Sequence, residues 1–246
     1  MSHATVDRLS ICQRPAGWPV MHQTWSKLLF LHWHLHAEAL RSLVPQSLEI
    51  DTFEGKAWVS IAPFVMTGIR PPLLPAVPAI SDSYELNVRT YVHYEGVPGI
   101  WFLSLDASNP LAVVGARATY HLPYFRAQMS LAENGDAIHY RSTRVDAHAP
   151  PAEFDAAWTL GAALPAAEPG SLEFFLTERY CLYTQHRRRL YRARIHHDPW
   201  PLRRAVLAGM KSTMLEAHGI AMPDHAPLLH AQAEALNVEV WPLKAV

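Results

Sequence analysis

Three polar residues, Glu85, Asn87 and Arg89, alternate with Leu86, Val88 and Thr90. Alternate side chains of a β-strand point to opposite faces. One face of this strand therefore carries a carboxylate, an amide and a guanidinium in a row. A carboxyl can move protons, and a guanidinium fork can hold a carboxylate or another oxyanion. Arg117, Tyr120, Tyr124 and Arg126 follow inside otherwise apolar segments, and Arg179-Tyr180 repeats the pairing. An unpaired buried guanidinium is costly, so Glu85, Asp106 and Glu178 are the expected partners. The set reads in two ways. It is a polar pocket that recognises an oxyanion, or it is a structural network of buried ion pairs.

Other constellations carry less. His32, His34 and His36 share one strand face about 6.5 to 7 Å apart, a spacing that could hold Zn²⁺ or Fe²⁺ given a third ligand. No HExxH or CxxC accompanies them, so no metal is expected. QHRRRLYRAR, Gln185 to Arg194, is a basic run, but it fits a hairpin turn into a strand with Arg188, Arg192 and Arg194 on one face. There is no G-x-S-x-G, no G-x-G-x-x-G and no P-loop, so no cofactor is called for. Cys181 sits in apolar ERYCLY and reads as buried filler.

The positioning elements follow from pattern. The polar strand turns at Glu95-Gly96-Val97-Pro98-Gly99 into the apolar run Ile100 to Leu105, a hairpin. Trp25 to Leu35 suits a strand, Ala37 to Leu43 a short helix stopped at Pro45, and Leu48–Phe53 with Ala57–Met66 a hairpin at Glu54-Gly55. Arg70 to Pro78 is a stiff Pro-rich loop. Asn109-Pro110 opens a helix through LAVVGARATY. LPYFRAQMSL and AIHYRSTRV form a hairpin about Asn134-Gly135. Ala147 to Gly170 has no clear period. Ser171 caps a short helix, CLYT and LYRARI are strands, and Leu202 to His218 is a possible helix ended by Gly219. The tail near NVEVW adds a last strand. Hairpins dominate, so the expected class is α+β with a mainly antiparallel, strongly curved sheet.

Composition narrows the partners. The 246 residues carry a formal net charge of −1 and only 17% charged residues, which gives no pull toward nucleic acid or an anionic membrane. No apolar run approaches the roughly 18 to 20 residues that span a bilayer. No signal-like segment opens the chain, so a cytoplasmic location is expected. Residues 1 to about 22 read as a loose arm and 23 to 246 as one domain. Homo-oligomer formation is left open.

These residues resemble the YqjF-like domain-of-unknown-function family. The resemblance rests on FLHWHLHAEALRSLVPQSLEIDTFEGKAWVSIAPF, YELNVRTYV, GIWFLSLDAS, LPYFRAQM, FLTERYCLY and HHDPWPL, in order over nearly the whole chain. That family is similar in fold to the acetoacetate-decarboxylase-like superfamily, which implies a cone-shaped, mainly antiparallel β-barrel around a pocket. It also implies that Glu85 matches an active-site glutamate. Where those enzymes carry Phe-Pro-Lys-Lys with the Schiff-base lysine, this chain has Leu122-Pro123-Tyr124-Phe125. The four lysines, Lys27, Lys56, Lys211 and Lys244, lie elsewhere, and no aromatic side chain can form the imine. The expected function is a barrel that binds a small carbonyl or carboxylate compound. Glu85 would serve as acid/base, Tyr124 as donor, and Arg89, Arg117, Tyr120 and Arg126 would contact the ligand. On the strand begun at Pro123, Tyr124, Arg126 and Gln128 should share the inner face. The alternative is a non-catalytic structural or interaction protein whose Arg-Tyr-Glu network only stabilises the fold. The residues do not decide between catalysis and binding alone.

Overall fold

The computed structural model describes residues 6–77, 81–232 and 234–246. Pro78 of the Pro-rich loop and the first five residues of the amino-terminal arm lie outside them. The chain is mostly strand: β1 (Met21–Ser26), β2 (Leu29–Leu35), β3 (Glu49–Ile50), β4 (Ala57–Arg70), β5 (Ser83–Tyr94), β6 (Val97–Ala107), β7 (Tyr124–Asn134), β8 (Ala137–Arg144), β9 (Glu153–Ala163), β10 (Cys181–His186), β11 (Arg189–His196), β12 (Leu202–Ser212), β13 (Leu228–Gln232), β14 (Leu236–Val240) and β15 (Lys244–Ala245). Among the described residues three short helices interrupt them, α1 (Ala37–Arg41), α2 (Pro110–Tyr120) and α3 (Leu172–Thr177).

One sheet connects all the strands. It is of mixed sense, not purely antiparallel, because β6 pairs in parallel with both β7 and β10. Strand pairing closes two rings. The first runs β1, β14, β11, β10, β6, β5, β4 and back to β1. The second runs from β6 through β7, β8, β9, β12, β13 and β2 to β4 and β5. Strands β4, β5 and β6 form a wall common to both. Side-chain alternation sends one face of that wall into each ring. Leu86 and Val88 join Leu31, Val59, Ile61, Tyr140, Phe154 and Trp158 in a close-packed core inside the second ring. Glu85, Asn87 and Arg89 face the first ring.

Local signals account for several elements. Glu95 and Gly96 both take positive φ, 49° and 78°, as the tight turn between β5 and β6 needs. The Asn109 side chain accepts from the Leu111 and Ala112 amides, and Pro110 occupies the first helical position of α2. Ser171 caps α3 through the Phe174 amide.

Other expectations are corrected. The arm is not loose over its described part: Arg8 makes a two-pronged pair with Asp51 at 2.7 Å, and Ile11 is buried. Lys27, at φ 55°, splits the expected Trp25–Leu35 strand into β1 and β2. β3 pairs with β5, leaving a single bridge, Phe53 to Lys56, of the expected hairpin. The stretch Ala147 to Gly170, expected to lack a period, holds β9, whose Phe154, Ala156 and Trp158 alternate inward. The helix expected over Leu202 to His218 is strand β12 followed by a 3-10 turn. Its Ala, Leu and Arg favour helix, yet β9 and β13 offer ladder partners on both sides, and that context overrides propensity. A bulge between Leu207 and Gly209 breaks the alternation, which hides the strand period. The carboxyl-terminal segment forms three strands rather than one.

Candidate functional site

The first ring encloses a cavity of ≈390 Å³ whose wall is mostly apolar, with Trp25, Phe64, Met66, Phe102, Leu105 and Trp200 among its residues. β5 supplies the polar side. A bulge opposite Val88 and Arg89 on β6 resets that strand's alternation, so Phe102 and Leu105 both line the cavity while Leu103 packs into the second ring. α2 closes part of the cavity through Leu111, Ala112, Gly115 and Ala116.

Glu85 is 3% exposed. Its Oε2 accepts from the Tyr124 hydroxyl at 2.8 Å, and the Asn87 amide donates to the same carboxyl. Burial raises its pKa to about 8, against the lowering pull of those two hydrogen bonds. The group is therefore a neutral carboxylic acid at pH 7. Burial and the neighbouring carboxyl push the Tyr124 phenol well above its ordinary range, so Tyr124 keeps its proton. The αL conformation of His121 ends α2, and the Tyr124 amide bonds back to the Leu122 carbonyl. These turn the chain into β7 with Tyr124 beside Leu105 on the cavity side.

Arg89 lines the same cavity with its guanidinium 4.8 Å above the Phe30 ring. Its Nε is buried without a hydrogen-bond partner, and it forms no ion pair among the described residues. Tyr120 also lines the cavity and donates to the Trp241 carbonyl at 3.2 Å.

Two expected ligand contacts are not in the cavity. Arg117 lies outside it, donating to the Tyr124 carbonyl and to Asp146, each at 2.6 Å. It braces the backbone of Tyr124 from behind. Arg126 is exposed. Tyr124, Arg126 and Gln128 do share a face, but the cavity ends at Tyr124 and the next two residues on that face reach solvent. On the opposite face, Met129 and Leu131 pack into the second-ring core.

The expected ion pairs are also redistributed. Asp106 pairs with Arg144, and burial raises it to about 6 despite that partner. Arg179 pairs with Asp51 rather than Glu178, which instead accepts from the Tyr180 hydroxyl. Burial pushes Asp51 upward, but Arg179 and Arg8 outweigh it and hold the carboxyl below its ordinary value. His32 binds Ser60 through Nδ1 at 2.6 Å, with Tyr91 on the same pair of groups. Among the described residues no group of three His, Cys, Asp or Glu could hold a metal ion. Arg179, part of the Arg-Tyr set singled out in the sequence, lines the cavity, and Gln23, His197 and Trp200 line it although their sequence context does not announce it. They come from β1, the α3 exit and the turn after β11, and only ring closure brings them to β5. Burial lowers His197 to about 4, so it is a neutral wall residue.

The profile of DUF2071, a family of uncharacterised conserved proteins, matches residues 22–235. The chain belongs to the DUF2071 family. A relative of the DUF2071 chain, the uncharacterised protein YqjF of Bacillus subtilis (strain 168), is 48% identical over 230 residues, 94% of each chain. Solved structures extend the likeness to the fold alone. The enduracididine biosynthesis enzyme MppR complexed with pyruvate superposes with TM-score 0.63 at 11% identity, covering 93% of this chain and 91% of its own. An acetoacetate decarboxylase-like enzyme from Sphingomonas wittichii RW1 gives 0.62 at 13% identity, covering 93% of each. A further acetoacetate decarboxylase structure gives 0.60 at 16% identity over 94% and 90%. This DUF2071 protein thus shares the acetoacetate-decarboxylase-like fold. None of its helices among the described residues is long and apolar enough to cross a membrane.

Proposed function

We propose that the protein binds a small carboxylate or carbonyl compound inside the first ring, which we read as the cone-like barrel of the superfamily. The observation that carries this reading is Arg89. A guanidinium without an ion pair, facing a mostly apolar cavity, is a strong anchor for a carboxylate because the low dielectric strengthens the pair. Neutral Glu85 then stands two alternations along the same strand as a carboxylic acid that can donate to a carbonyl oxygen. Tyr124 and Asn87 hold that carboxyl in place, so Tyr124 acts on the ligand through Glu85. The fold neighbour MppR, complexed with pyruvate, agrees with a small carboxylate as occupant. Imine chemistry is not part of the proposal: Tyr124 or Phe125 takes the place the resemblance gives to the lysine, and none of the four lysines lines the cavity.

A thermal-shift screen against keto acids, aromatic acids and phenols tests the reading. A site ligand at 100 times its dissociation constant stabilises by about 2.7 kcal/mol. Arg89→Met should weaken carboxylate binding by about 10- to 100-fold, the cost of a charge-assisted hydrogen bond. If no compound of these classes raises the melting temperature, the pocket reading fails. The structural alternative, in which the network only stabilises the fold, then takes its place.

A further inference from the structure

Five residues of the cavity wall hold a buried polar atom that no described residue satisfies. Arg89 Nε, Trp25 Nε1 and Arg179 Nη2 are donors; Asn87 Oδ1 and Gln23 Oε1 are acceptors. Asn87 is 5% exposed. Its NH₂ group donates to Glu85, which turns Oδ1 away from that carboxyl. Buried polar groups in native proteins are nearly always paired, so a ligand that fills this space should match both kinds. A bare carboxylate offers only acceptors. It can serve Arg89 and Trp25 but leaves Asn87 and Gln23 unpaired, and a 2-keto acid has the same shortfall. An occupant with a hydroxyl beside the carboxylate adds one donor and so also serves one of the two acceptors.

Resting on the carboxylate reading above, we infer that the occupant is a hydroxy acid with an apolar body. Its carboxylate meets Arg89, its hydroxyl donates to Asn87 Oδ1, and its hydrocarbon part lies against Phe64, Phe102 and Trp200. A hydroxyl fits better than an ammonium. Of the two guanidinium groups on the wall, Arg179 is already paired with Asp51. Among the described wall residues the lone carboxyl, Glu85, is uncharged at neutral pH, so none of them offers an anion to pair with an ammonium. Size sets the rest. At about 30 Å³ for each water in the liquid, ≈390 Å³ admits on the order of a dozen non-hydrogen atoms. A phenyl-substituted three-carbon hydroxy acid is of that size.

Calorimetric titration of the purified full chain with 3-phenylpropanoate, its 2-hydroxy and 3-hydroxy derivatives, phenylpyruvate and phenylalanine tests the inference. At least one hydroxy acid should bind about three- to tenfold tighter than 3-phenylpropanoate, as one added hydrogen bond allows. That advantage should vanish in Asn87→Leu while 3-phenylpropanoate binding persists. If the wild-type protein binds the unsubstituted acid as tightly as both hydroxy acids, or binds phenylalanine or phenylpyruvate tighter than either, the inference is overturned and the carboxylate pocket stands. If no acid of the series binds, both fall. The wild-type comparison decides even where Asn87→Leu does not fold.

Discussion

Glu85 gives the protein a pH signature. Its carboxyl holds a proton to about pH 8 in the folded state, against an ordinary 4.5 when unfolded. Between those values the folded state binds more protons, so stability falls as pH rises. The contribution is fully present below about 4.5 and is lost as pH passes 8. The gap corresponds to about 4 to 5 kcal/mol as an upper bound. Asp106, raised to about 6, tilts stability the same way. Glu85→Gln keeps an acceptor for Tyr124 and removes the titration. Urea denaturation from pH 5 to 9 should show a shallower fall for the variant, and greater stability than wild type above pH 8. Parallel profiles would refute the buried neutral carboxyl. Tyr124→Phe leaves that carboxyl without its hydroxyl donor. It should cost about 1 to 3 kcal/mol and move the Glu85 titration higher, because the lost hydrogen bond lowers it. A transition moved downward would refute the assignment.

At the scale of elements, the cavity depends on how β6 meets β10. Gly99 sits where a Cβ would lie 2.7 Å from the Tyr183 ring and 2.9 Å from the Cys181 carbonyl. The parallel pairing of Leu182 with Ile100 starts beside it. Gly99→Ala must push the two strands apart, and overpacking of this kind costs about 1 to 3 kcal/mol. The urea midpoint should drop accordingly; an unchanged midpoint would show that the strands separate freely. Elements with strong local chemistry are legible in advance: the Glu95-Gly96 turn, the Asn109 cap of α2, the Ser171 cap of α3 and the Asn-Gly hairpin between β7 and β8. β12 is not, because its helix-favouring residues become strand only where β9 and β13 supply hydrogen bonds. β9 was readable in principle, since Phe154, Ala156 and Trp158 alternate, but small Ala residues on both faces flatten the contrast.

The whole molecule divides its labour between two rings that share β4, β5 and β6. One ring is filled by side chains and the other keeps a cavity, so stability and binding should separate. Trp158, 1% exposed in the filled ring, should cost about 3 to 5 kcal/mol when changed to Ala. Affinity of the remaining folded protein for a cavity ligand should stay unchanged. Trp200→Ala removes a cavity wall and should alter affinity as well as stability. Titration calorimetry beside urea denaturation checks both, and a loss of affinity in Trp158→Ala would show that the rings are coupled through their common wall.

The sequence by itself determined the strand-rich class, the polar row Glu85-Asn87-Arg89, and the inward turn of Tyr124. Each rests on period-two alternation or on a turn residue within a few positions. Only the tertiary structure decided which polar residues meet. Arg117 and Arg126 share the row's chemistry, but Arg117 is drawn outside by Asp146, and Arg126 lies past the point where the cavity ends. Asp51 takes Arg179 and Arg144 takes Asp106 across separations of 128 and 38 residues. Gln23 and Trp200 reach the cavity because two rings close. Alternation tells which face a side chain takes; ring closure tells what that face looks into, and no local pattern encodes it.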